Sequence, residues 1–87
     1  MTPTSLRRDF ERLGVNRWCY GIGRERDDAY CLLRDGHEWL VFYAERGERR
    51  SVRRFSGKEE ACAELYRWVT SDPTVFQQPG SRRDATS

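Results

Sequence analysis

At 87 residues the chain is one domain at most, and folding at this size hides only a little over ~60% of the surface the unfolded chain exposes. Hydrophobic residues make up 37% and charged residues 34%, too apolar and aromatic for a disordered chain and too polar for a membrane-embedded one. The 16 cations against 14 anions leave a formal charge of +2, too balanced to draw in a nucleic acid or an anionic membrane by long-range field.

The first element in chain order is a helix. Leu6, Phe10 and Leu13 recur at i, i+4 and i+7, while Arg7, Arg8, Asp9, Glu11 and Arg12 fill the other face. Thr2 or Thr4 is placed to cap its start, Pro3 is tolerated in the first turn, and Gly14 supplies the left-handed residue that ends it. Val15 then folds back onto the apolar stripe. The run from Arg17 to Ile22 reads as a short strand or extended stretch, favoured by Trp18 and Tyr20 and broken by Gly21 and Gly23. Arg24-Glu25-Arg26-Asp27-Asp28 is a charged loop.

Two clear strands follow, Ala29 to Arg34 and His37 to Tyr43, separated by Asp35-Gly36, the pair that suits a type I′ hairpin turn. A turn centred there pairs Leu33 with Glu38, Leu32 with Trp39, Cys31 with Leu40, Tyr30 with Val41 and Ala29 with Phe42. One face of the hairpin then carries Ala29, Cys31, Leu33, Leu40 and Phe42, and the other carries Tyr30, Leu32, Trp39, Val41 and Tyr43. Both faces are apolar, so the hairpin needs cover on both sides, from a partner or from the chain's own helices, one on each face.

A turn around Glu45-Arg46-Gly47-Glu48 leads to a third strand, Arg49 to Phe55, whose arginines suit a sheet edge. Ser56-Gly57-Lys58-Glu59 has the form of a capping box, and Ala61, Cys62, Leu65, Trp68 and Val69 form the stripe of a second helix that stops near Ser71, before Pro73. Residues 76–87 are expected to be a disordered tail. The expected fold is α+β: a three- to four-stranded antiparallel β-meander flanked by an N-terminal and a C-terminal helix, a single compact domain over residues 1–75.

The residues offer no self-contained chemistry. Cys19, Cys31 and Cys62 are odd in number and form no C-x-x-C pair, so they read as buried free thiols. His37 is the sole histidine, beside the hairpin turn, and one nitrogen ligand cannot build a zinc site. Gly21-Ile22-Gly23 lacks the following helix that a phosphate cradle needs, and the acidic pair Asp27-Asp28 downstream argues against an anion. Glu59 and Glu60 belong to a helix start, where the dipole favours them. No catalytic residue, metal or cofactor is expected, and the protein is read as a non-enzyme. No run of about 18 apolar residues spans a bilayer and no signal peptide is visible, so the expected location is cytoplasmic.

Two surfaces remain as candidate binding sites. Aromatics and arginine dominate protein–protein hot spots, which nominates Tyr30, Trp39, Tyr43, Glu45 and Arg46 for contact with a protein partner. The rival is a sheet-based DNA-binding module that lays Arg49, Arg50, Arg53 and Arg54 of the third strand into a groove. A sheet followed by a helix opening Ser56-Gly57-Lys58-Glu59-Glu60-Ala61 is weakly similar to the arm-binding domains of tyrosine recombinases. Interleaved Glu38, Glu45 and Glu48 count against a basic face. The oligomeric state is open.

A second likeness covers residues 5 to 75. Leu13-Gly14-Val15, then Asp28-Ala29-Tyr30-Cys31-Leu32, then Trp39-x-Val41-Phe42-Tyr43-Ala44-Glu45-Arg46-Gly47, then Phe55-x-x-x-Glu59-Glu60-Ala61-Cys62 and Asp72-Pro73-Thr74 resembles a family of small bacterial immunity proteins. These are encoded beside polymorphic secreted toxins, notably necrotizing-toxin-type NAD-glycohydrolases. The segment Arg17-Trp18-Cys19-Tyr20-Gly21-Ile22-Gly23 departs from the family's usual tyrosine-serine-leucine turn. The resemblance implies that the protein binds a cognate toxin and blocks its active site.

Overall fold

The structure is a computed structural model and describes residues 1–76. Helix α1 (Pro3–Leu13) leads through a 3-10 turn (Arg17–Cys19) into strand β1 (Tyr20–Ile22). Strands β2 (Ala29–Asp35), β3 (Glu38–Glu45) and β4 (Glu48–Phe55), helix α2 (Lys58–Thr70) and a second 3-10 turn (Pro73–Phe76) complete the order. The strands form one sheet in the order β1-β2-β3-β4, with β2, β3 and β4 antiparallel. Among the described residues no helix is long and apolar enough to cross a membrane. The expected tail begins with Phe76, which closes the last 3-10 turn; the rest of it lies outside the described residues.

Local chemistry sets the ends of α1. Thr2 is the N-cap, its Oγ1 accepting from the Ser5 backbone N–H at 3.1 Å while the Thr2 N–H donates to Ser5 Oγ at 2.9 Å. Gly14 ends the helix with φ 82°, and the Val15 N–H donates back to the Phe10 carbonyl at 2.9 Å. Leu6 and Phe10 are fully buried, but Leu13 is exposed. At α2 the expected capping box on Ser56 is not formed: Gly57 is the N-cap and makes no side-chain cap bond. The Glu60 carboxylate instead curls over Gly57, where a Cβ would meet it at 2.9 Å, so the helix starts one residue later than the motif suggests.

Three sequence expectations about the sheet need correction. The hairpin register is offset by two residues: Asp35 pairs with Glu38, Leu33 with Leu40, Leu32 with Val41, Tyr30 with Tyr43 and Ala29 with Ala44. The turn is Gly36-His37, with positive φ at Gly36 and not at His37, the requirement of type II′ rather than type I′. This register continues the ladder to Ala44 and sets two tyrosines opposite each other. Because the offset is even, every side chain keeps its expected face. The I′ pattern occurs one turn later, at Arg46-Gly47, where φ is 53° and 80°.

Second, β1 joins the sheet in parallel, Tyr20 beside Tyr30, Gly21 beside Cys31 and Ile22 beside Leu32. A parallel neighbour must send its chain back across the sheet before the next strand starts, and only residues 23–28 make that return. Third, the two helices do not take one face each. Leu6, Phe10, Leu65 and Val69 pack with Leu32 and Val41 in one cluster, so α1 and α2 share a face.

The second face is closed by the returning loop. Ala29, Cys31, Leu40, Phe42 and Ala44 form a separate buried cluster. Over it the Arg26 N–H lies 3.4 Å from Cys31 Sγ, and the thiol lies 3.4 Å from the Arg26 carbonyl. The Arg49 guanidinium covers Phe42, 4.7 Å from its ring centroid, and pairs with Glu25 of the loop at 2.9 Å. Gly21 makes this return possible, since a Cβ there would stand 2.5 Å from the Arg24 carbonyl oxygen.

Candidate functional site

Tyr30 and Tyr43, opposite each other on β2 and β3, stand on the helix-covered face where α2 ends. Their rings meet edge to face, centroids 4.9 Å apart, and Trp68 of α2 closes the group 6.3 Å from Tyr30. With Ser51 of β4 these three aromatics line a depression of about 260 Å³. A β-bulge makes its fourth wall: the β3–β4 pairing slips by one residue between Val41 and Tyr43, leaving Ser51 and Val52 opposite Phe42. Ser51 is held at φ 57°, a left-handed conformation costing a non-glycine residue about 1–3 kcal/mol. Strain of this kind concentrates at binding and catalytic sites.

Two of the three aromatics, Tyr30 and Trp68, are fixed by a polar handle. The Tyr30 hydroxyl donates to Asp72 Oδ2 at 2.8 Å. Burial first, and then this bond, pushes the Tyr30 phenol up to about 12. Asp72 also accepts from the Thr74 N–H at 2.9 Å and hydroxyl at 2.6 Å; these Thr74 and Tyr30 bonds hold its carboxyl below the ordinary value despite partial burial. The Trp68 indole N–H donates to Glu64 Oε2 at 2.8 Å. Glu64 is buried and also binds Arg67 and, at 3.6 Å, Arg53; the Arg67 bond is the main reason its carboxyl lies below the ordinary range.

The sequence-nominated contact residues are partly brought together. Tyr30 and Tyr43 share the depression, Glu45 follows on the same face of β3, and Arg46 is exposed in the adjoining turn. Trp39 lies at the opposite end of β3, packed on the main core beneath the Arg34 guanidinium at 5.8 Å. Trp68 and Ser51 were not nominated. Trp68 reads in the sequence as one more residue of the α2 stripe, and no glycine marks the left-handed residue at 51.

All four arginines of the rival nucleic-acid surface have carboxylate partners. Arg49 pairs with Glu25, Arg50 with Glu45 at 2.9 Å and Glu48 at 3.4 Å, Arg53 with Glu64, and Arg54 with Asp35 and Glu38 at 3.2 Å each. The bulge also divides them, Arg50 and Arg53 pairing on the helix side and Arg49 and Arg54 on the other. Burial pushes all three thiols up, away from the nucleophilic thiolate. Among the described residues no group of three or more His, Cys, Asp or Glu side chains is placed to hold a metal ion. Comparison with protein-family models, with curated proteins and with solved structures finds no match.

Proposed function

We propose that the protein is a cytoplasmic binding protein of the immunity type, which docks on a cognate bacterial toxin and blocks its active site. The depression walled by Tyr30, Tyr43, Trp68 and Ser51 is the socket that carries this reading. It receives one apolar side chain from the toxin's active-site rim, while Glu45 and Arg46 make the polar contacts beside it. Tyr30 and Trp68, held by hydrogen bonds, and Tyr43, held edge to face against Tyr30, lose little rotamer freedom on binding, which favours tight association through few contacts. A standard interface of about 1,600 Å² extends well beyond the socket. The resemblance supplies the toxin class, an NAD-glycohydrolase, whose substrate would be excluded by the docked protein.

A sheet ribbon on DNA is less well supported, because docking Arg49, Arg50, Arg53 and Arg54 on phosphates requires breaking their ion pairs. Co-expression tests the proposal. Cells producing the secreted toxin encoded beside this gene are expected to survive with the native protein and to die with Tyr43→Ala or Trp68→Ala that has been shown to fold. Survival independent of the protein overturns the immunity role.

A further inference from the structure

At the β1 edge of the sheet, four arginines line one cavity. Arg7 of α1, Arg17 of the first 3-10 turn, and Arg24 and Arg26 of the returning loop line about 300 Å³ with Tyr20, Gly21, Ile22 and the single carboxylate of Glu11. None of the four forms an ion pair among the described residues, in contrast to the arginines of β4. The loop sorts its own charges to produce this. Two of its acids turn the other way, Glu25 to Arg49 and Asp27 to the Gly47 N–H at 3.3 Å, while Arg24 and Arg26 line the cavity. Of the acidic pair that counted in sequence against an anion beside Gly21-Ile22-Gly23, Asp27 is therefore directed elsewhere.

Four guanidinium groups against one carboxylate leave a clear positive excess. Two like charges roughly 8 Å apart repel by about 0.5 kcal/mol in water and about 2 kcal/mol at the effective dielectric of a protein surface, so the fold holds these cations together at a cost that an anion relieves. The donors are partly preorganised. Arg7 Nη2 is anchored on the Ile22 carbonyl at 2.9 Å, and Arg17 and Arg26 lie over the Trp18 ring at 5.4 and 5.0 Å. Arg26 Nε is buried with no hydrogen-bond acceptor among the described residues. A carboxylate, with one charge and two oxygens, satisfies one planar fork, whereas a phosphate dianion has the charge and the oxygens to meet several. A second concavity of about 470 Å³ adjoins the first, sharing Glu11, Arg17 and Tyr20 and extending along Val15 and the exposed Trp18.

We propose that this cavity binds the phosphate group of a small phosphorylated molecule whose uncharged ring lies in the adjoining concavity beside Trp18. The site shares no lining residue with the aromatic socket and does not rest on the toxin reading. Calorimetric titration of the full chain with adenosine monophosphate, inorganic phosphate, adenosine and a short DNA duplex, at matched ionic strength, tests it. The monophosphate binds, inorganic phosphate binds several-fold more weakly and adenosine does not bind. Arg24→Glu and Arg17→Glu, at exposed positions without ion pairs among the described residues, each weaken monophosphate binding about tenfold or more while the protein stays folded, as circular dichroism shows. Absence of monophosphate binding to the folded protein, or binding that both variants retain in full, overturns the site. Inorganic phosphate binding as tightly as the monophosphate overturns the placement of the ring, and tighter binding of a DNA duplex overturns the small-molecule assignment.

Discussion

Tyr30 ties the sheet to the chain beyond α2 through its bond to Asp72, and that bond has a defined pH range. The phenol is raised from 10.0 to about 12, so its contribution to stability is complete below pH 10.0 and is lost as the pH climbs toward 12. Asp72 is held below its ordinary 3.8, so its contribution is complete above that pH and is lost as the carboxyl protonates in acid. Tyr30→Phe is expected to lower stability by about 1 kcal/mol near neutral pH, with the deficit shrinking as the pH rises above 10.0. Thermal melts of both proteins across that range check it; a constant deficit contradicts the bond's role. Glu64, 8% exposed, is the corresponding residue on α2. Glu64→Ala strands the partly buried Trp68 N–H and should cost about 1–3 kcal/mol, measured by urea denaturation; Arg53 and Arg67, largely exposed, lose a partner but keep their hydration.

At the scale of elements, the returning loop and the bulge distinguish this sheet from a plain meander. The loop seals Cys31 only because Gly21 has no side chain. Gly21→Ala forces the Arg24 carbonyl away, which should cost about 1–3 kcal/mol and raise the rate at which a thiol reagent labels Cys31 in the folded protein. Labelling of Cys31 that stays as slow as in the native chain would show that the loop does not depend on this contact. At the bulge, Ser51→Gly removes left-handed strain but loosens the unfolded chain, for a net gain of around 0.5 kcal/mol visible as a raised melting midpoint. These features also mark where the sequence was legible. The faces of β2 and β3 followed from alternation, and the ends of α1 from Thr2 and Gly14. The register did not, because Asp35-Gly36 fits two turn types and the choice rests on cross-strand contacts such as Tyr30 with Tyr43. The parallel pairing of β1 was hidden because three residues, one of them glycine, carry too little pattern to fix a direction.

Over the whole molecule, two apolar faces on so small a sheet are covered by different means, helices on one and a charged loop with an arginine side chain on the other. This leaves exposed aromatic surface at only a few places, among them the socket beside α2 and Trp18. Tyr30 and Tyr43 were legible as candidates from their shared strand face; Trp68 and Ser51 enter the site only through the packing of α2 and the bulge, which local sequence does not encode. The arginines likewise divide into an ion-paired set on β4 and a set at the cavity without ion pairs among the described residues, a division that composition conceals because it depends on which way each loop residue turns. The docking proposal is tested most directly by the dissociation constant of the purified neighbouring toxin with the native protein and with Tyr43→Ala. The variant is expected to bind about tenfold or more weakly, while Trp39→Ala, remote from the socket, binds within about twofold provided it folds. Equal affinity of the native protein and Tyr43→Ala would contradict the assignment of the socket.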